Sequence, residues 1–222
     1  MGQTIALRAA DGQRFAAYLA TPAGTPRGGV VVAQEIFGLN SHIRHVADGY
    51  AADGYLAIAP ALFDRVAPGV ELSYTAADIA RGRELKNATG NETALRDLAA
   101  ALAQVQHAGR VGMVGYCWGG LLCWLAAGAL DGLAASVPYY GGGMPDRADV
   151  APRCPVLGHF GERDAHIPVD GVKALKTAHP AITLHFYPAD HGFNCEQRAS
   201  FEPASAALAR QRTLAFLREH VG

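Results

Sequence analysis

Apolar and polar positions alternate with period two over residues 4–8 and again over 15–21, on either side of the turn signal Asp11-Gly12. That period puts one face of each segment in a core, and the short turn between them predicts an antiparallel hairpin. The pattern then changes. Residues 29–33 form a continuous, mostly β-branched apolar run, as in a strand covered on both faces. A helical period follows over 41–53, and a second apolar strand over 55–59 ends at Pro60. Residues 63–74 are polar and carry Pro and Gly; so long a connection is expected to form part of a substrate-facing loop. Beyond it the pattern predicts helices over 76–85 and 92–107, a strand over 111–116 and a helix over 119–130. Strands over 135–140, 155–160 and 183–187 come next, with a helix over 169–178 and a long amphipathic terminal helix over 204–220. Strands alternating with helices predict a mostly parallel central sheet with helices on both faces. No internal repeat or linker interrupts residues 1–222, which read as one α/β domain.

Composition narrows the class of function. Half of the 222 residues are hydrophobic and the formal net charge is −1, so a large core is available and no basic stripe points to nucleic acid. No apolar run reaches the roughly 20 residues of a membrane span. The opening Met1-Gly2-Gln3-Thr4 lacks the charged-then-apolar layout of a signal peptide. The four cysteines, Cys117, Cys123, Cys154 and Cys195, form no Cys-x-x-Cys pair and predict free thiols in a reducing cytoplasm, with no metal site. The expected partner is a small-molecule substrate, and the expected assembly is a monomer or weak homodimer.

Chemistry concentrates at one turn. Gly115-Tyr116-Cys117-Trp118-Gly119 joins a predicted strand to a predicted helix with a thiol at the apex. In a Gly-x-nucleophile-x-Gly turn the central residue takes a strained conformation, and small residues are needed on either side because strand and helix come close. The helix N-terminus beneath the side chain favours a thiolate and an oxyanion. Two further strand ends carry reactive groups: Asp164 in Gly161-Glu162-Arg163-Asp164, and His191 in Ala189-Asp190-His191-Gly192-Phe193. Nucleophile, acid and histidine in that chain order match the α/β-hydrolase fold. A thiol needs a base, and a histidine base needs an acid to orient it. Glu162 and Asp170 are alternative acids, whereas His159 falls inside a strand and reads as a packed core residue.

The stretches Gln34-Glu35-Ile36-Phe37-Gly38-Leu39-Asn40, Gly115-Tyr116-Cys117-Trp118-Gly119-Gly120, the Asp164 loop and His191-Gly192-Phe193 resemble the dienelactone hydrolase (carboxymethylenebutenolidase) family over nearly the whole length. The resemblance implies a cofactor-free hydrolase that opens a small carboxylated enol-lactone through Cys117, His191 and Asp164. The alternative is a hydrolase of other small esters or thioesters with the same triad. It also implies that Glu35 pairs with the resting thiol and takes its proton when substrate binds. The oxyanion hole would be the backbone N–H groups of Ile36 and Trp118. Arginine is expected to bind the substrate carboxylate, and here Arg81 is favoured over Arg83. The family's second arginine lies four residues after the histidine, where this chain has Cys195; Arg198 is the candidate in its place.

Overall fold

The computed structural model describes residues 2–222. Strands β1 (Gln3–Arg8), β2 (Arg14–Ala20), β3 (Gly29–Ala33), β4 (Leu56–Pro60), β5 (Val111–Tyr116), β6 (Leu133–Tyr139), β7 (Leu157–Gly161) and β8 (Thr183–Tyr187) form one sheet in the order β1-β2-β4-β3-β5-β6-β7-β8. β1 and β2 form the expected hairpin, and β2 also pairs antiparallel with β4. From β4 to β8 every pairing is parallel. Every residue of β3, β4 and β5 is buried, which requires cover on both faces.

Helices supply that cover. α3 (Asn91–Val105) and α4 (Trp118–Ala129) touch each other as well as the central strands. α1 (Ser41–Ala52) and α6 (Pro203–His220) meet through Arg210 of α6, whose guanidinium lies 4.9 Å from the Tyr50 ring and also pairs with Asp53. α2 (Ala76–Thr89) and α5 (Val169–Ala178) complete the set. This is the expected α/β-hydrolase architecture. No helix among the described residues is long and apolar enough to cross a membrane.

The differences from the sequence pattern have local causes. α2 continues past residue 85 to Thr89 and stops where Gly90 takes a φ of 72°. α3 ends at Val105 and tightens into a 3₁₀ turn over Gln106–Ala108. β6 ends at Tyr139 because Tyr140 turns to a φ of 36°. The loop over 63–74 is long and irregular as expected, but none of its residues lines the cavity described below, so its substrate-facing role is not seen. Arg65 instead clamps it to the body, reaching Asp97 of α3 at 2.7 Å and Asp11 of the hairpin turn at 2.8 Å. Phe63 stacks on Trp118 with ring centroids 5.5 Å apart, so the loop buttresses the Cys117 turn from outside.

Candidate active site

Cys117 sits between the end of β5 and the start of α4 with φ 55° and ψ −113°, a conformation L-residues rarely hold. The flanking glycines make it possible. A Cβ on Gly115 would lie 2.1 Å from the Gly119 carbonyl oxygen, and one on Gly119 would lie 2.2 Å from the Ala33 carbonyl oxygen. Strand, turn and helix are thus packed backbone to backbone. The Cys117 N–H donates to the Tyr139 carbonyl at 3.0 Å, which ties the apex to β6. Trp118 is the first residue of α4, so its amide has no acceptor within the helix.

Asp164 and His191 come together as the chain order predicts. His191 Nδ1 lies 2.7 Å from Asp164 Oδ2, and Asp164 Oδ1 accepts the His166 amide at 2.8 Å. Asp164 is buried, whereas Glu162 and Asp170 are exposed and fall away as orienting acids. Asp190 is also exposed, 3.9 Å from Arg163. Burial disfavours the His191 imidazolium, but the neighbouring Cys117 and the hydrogen bond to Asp164 outweigh it, and the ring's pKa is pushed up to about 10. The Tyr140 ring packs 5.1 Å from the His191 ring and fixes its other side. His159 is a core residue, as its strand position implied: Nδ1 is 2.7 Å from the Tyr187 hydroxyl and Nε2 3.0 Å from Thr213 Oγ1. Burial drives its pKa well below the usual histidine value.

The other cysteines are structurally quiet. All four are free, and burial pushes the thiols of Cys154 and Cys195 up to about 11 and that of Cys123 well above its ordinary value. Cys123 packs under the turn, 2.7 Å from where a Gly115 Cβ would stand.

Glu35 follows β3 and is 1 % exposed. Its partner differs from the one the resemblance implies. Oε1 takes Arg198 Nη1 at 3.3 Å, while Oε2 is buried without a partner, so the carboxylate is not bonded to the thiol. Arg198 therefore reaches the site across 163 positions of sequence, with its guanidinium 5.7 Å from the rings of both Phe37 and Tyr74.

Cys117, His191 and Arg198 open into one cavity of about 270 Å³, with Ile36, Phe37, Trp118 and Gly142 around them. His166 and α2 complete the wall, α2 presenting Ile79, Arg83 and Lys86 at the i, i+4, i+7 spacing of one helix face. α2 approaches this closely because Gly82 faces Ile36; a Cβ there would lie 2.2 Å from the Ile36 carbonyl oxygen. Arg81 is half exposed, paired with Glu84 at 3.0 Å and outside the cavity lining, so the structure brings Arg83 to the cavity and not the favoured Arg81. Lys86 was not singled out from the sequence, although its i+3 spacing from Arg83 was the available signal. Neither Arg83 nor Lys86 has an ion-pair partner among the described residues. Tyr74, Tyr139 and Tyr140 are outside the cavity lining; the Tyr139 hydroxyl meets Thr213 at 2.7 Å.

The chain is similar to known proteins over nearly its whole length. The model of the dienelactone hydrolase family matches residues 15–221. A Synechocystis sp. protein provisionally named a carboxymethylenebutenolidase is 38% identical over 220 residues, covering 90% of this chain and 89% of its own. The carboxymethylenebutenolidase of Pseudomonas putida is 34% identical over 227 residues, covering 96% and 94%. Among solved structures, a Klebsiella pneumoniae protein provisionally named a dienelactone hydrolase superposes with a TM-score of 0.86 at 32% identity, covering 98% of this chain and 100% of its own.

Proposed function

The chain belongs to the dienelactone hydrolase family and is a hydrolase acting on ester bonds, and from that premise we propose that it opens a small carboxylated enol-lactone through Cys117, His191 and Asp164. The observation that carries the reading is the His191 ring, held by Asp164 at 2.7 Å on one nitrogen and lining the same cavity as a strained Cys117. The thiolate attacks the lactone carbonyl. The oxyanion that forms is met by the N–H groups of Ile36 and Trp118, each donor being worth about 3 kcal/mol in such a transition state. The ring C–O bond then breaks and the enolate leaves, taking its proton from His191. His191 next draws a proton from water, whose oxygen attacks the thioester, and the carboxylate product departs from the regenerated thiolate.

The cavity wall supports this substrate class. Ile36, Phe37, Ile79 and Trp118 offer apolar surface for a small unsaturated ring, and Arg83, Lys86 and Arg198 offer three cations to a carboxylate. Arg198 is already partly neutralised by Glu35, so Arg83 and Lys86 are the free charges. Glu35 acts through Arg198 in this reading, releasing it as a substrate carboxylate arrives. The test compares turnover of a carboxymethylene-butenolide with that of p-nitrophenyl acetate. A kcat/KM at least tenfold higher for the lactone supports the reading. Equal or better turnover of the neutral ester means that the same triad serves general small esters.

A further inference from the structure

Behind the catalytic cavity lies a second cluster that shares only Glu35 with the hydrolytic reading. Glu35 follows β3, His42 is the second residue of α1, and Cys195 lies in the loop after His191. One ligand-type atom from each lies within 4.8 Å of the others, and all three residues are buried. The polar groups there are poorly matched. Glu35 Oε2 and both nitrogens of His42 are buried with no hydrogen-bond partner. Unpaired buried polar atoms are rare in folded proteins and call for a ligand.

We propose that Glu35, His42 and Cys195 form a site for a zinc-like divalent cation. A thiolate, an imidazole and one carboxylate oxygen are the donor set of a borderline-soft ion, and one oxygen is too few for calcium or magnesium. Zinc bonds of about 2.0–2.3 Å imply ligands roughly 3.5 Å apart in a tetrahedron, so the three atoms close on the ion by about 1 Å. Three protein ligands leave one position for water. The ion takes Glu35 Oε2, the oxygen that Arg198 leaves free. On binding, the Cys195 S–H loses its proton to solvent as the metal–sulfur bond forms. The Tyr74 hydroxyl, which now accepts from that thiol at 3.2 Å, turns to donate to the sulfur.

The surroundings supply an entry and a supporting group. His42 also borders a second cavity of about 310 Å³, together with His45, Asn194 and Glu196. The half-exposed Glu196 carboxylate stands 3.8 Å from His42 Nδ1, where it draws cations inward and holds the ring for ligation through its other nitrogen. Neither Cys117 nor His191 is a ligand, so ion binding can be read in protein that lacks the catalytic thiol.

Cobalt(II) and zinc titrations of metal-stripped protein test this. The Cys117→Ala variant is the reference, so that the catalytic thiol contributes nothing. It should take up one cobalt ion per chain with a near-ultraviolet thiolate-to-cobalt absorption band, and zinc should raise its unfolding midpoint. Adding Cys195→Ala should abolish the band and weaken zinc binding about 100-fold or more in competition with a chromogenic chelator; Glu196→Gln should weaken it about tenfold. Should the double variant fail to fold, Cys117→Ala/His42→Gln serves, with loss of the zinc-induced rise in midpoint as its readout. No thiolate band in Cys117→Ala overturns the proposal. So does a wild-type band that disappears only when Cys117 is removed, because the ion then sits at the catalytic pair.

Discussion

Asp164 spends both carboxylate oxygens: Oδ2 lies 2.7 Å from His191 Nδ1 and Oδ1 takes the His166 amide at 2.8 Å. The backbone bond fixes the carboxylate, and the carboxylate fixes the tautomer and direction of the ring. Asp164→Asn keeps the shape but loses the charge and the compulsory acceptor, so kcat should fall by about 10³–10⁴-fold, as for comparable triads. Glu162→Gln and Asp170→Asn remove exposed carboxylates and should leave kcat within about twofold. Steady-state hydrolysis of any accepted ester measures both. A fully active Asp164→Asn would remove this residue from the triad.

The charge state of His191 is open to measurement. Its pKa is pushed up to about 10 against the burial that lowers it, first by the neighbouring Cys117 and then by Asp164. A group raised on folding contributes stability fully present below its unfolded value near 6.5, and that contribution is lost as pH rises toward about 10. The stability advantage of wild type over Cys117→Ala should therefore shrink across that window in urea unfolding. The His191 ring should titrate at lower pH by NMR once the sulfur is gone. An unchanged ring titration in Cys117→Ala would show that the thiolate does not act on it.

The sequence made Cys117, Asp164 and His191 legible because each follows a strand of the parallel sheet, and the ends of such strands converge on one edge. The elbow glycines were legible for the same reason: their spacing reports a close approach, seen here as a Gly119 Cβ that would stand 2.2 Å from the Ala33 oxygen. What stayed hidden depends on contacts between distant segments. The pairing of Glu35 with Arg198 spans 163 positions and no local pattern announces it. α2 buries only Gly82, Leu85 and Thr89 of its 14 residues, so the choice between Arg81 and Arg83 had too sparse a hydrophobic stripe to settle it. The loop over 63–74 was visible as irregular, but its direction is set by the Arg65 ion pairs to Asp11 and Asp97.

Gly119→Ala should be far more harmful than its size suggests. The added methyl would meet Ala33 and Gln34 backbone atoms at 2.2–2.7 Å, which no rotamer change can relieve. Overpacking of this kind typically costs about 1–3 kcal/mol, and the displaced segment leads directly into Glu35 and Ile36. Both the unfolding midpoint and kcat should drop. Gly24→Ala, with nothing within 4 Å, is the control and should change neither. Equal behaviour of the two variants would mean that the elbow tolerates the shift.

Cys117 should be alkylated quickly by iodoacetamide at pH 7, because its neighbour is the His191 cation while Glu35 is occupied by Arg198. Cys123, Cys154 and Cys195, whose thiols burial holds protonated, should react much more slowly. Mass spectrometry of the tryptic peptides reports the order. His191→Ala should slow the Cys117 reaction by about tenfold or more. Slow alkylation of wild type that accelerates on adding a carboxylated substrate analogue would instead favour a resting thiol paired with Glu35.

Carboxylate recognition is assigned to the face of α2 that carries Arg83 and Lys86 on the cavity wall. Losing one charge-assisted hydrogen bond costs about 1.5–3 kcal/mol, so Arg83→Gln should raise KM for a carboxylated lactone by about tenfold or more. Lys86→Gln should act in the same direction and less strongly, since a single ammonium lacks the forked geometry of guanidinium. Neither change should move KM for p-nitrophenyl acetate by more than about twofold, because that ester presents no anion for these side chains to hold. Arg81→Gln breaks only the exposed pair with Glu84 and should be silent with both substrates. If Arg81→Gln raised the lactone KM while Arg83→Gln did not, α2 would present its other face to substrate. If all variants affected lactone and neutral ester alike, these charges would serve the fold and not the substrate.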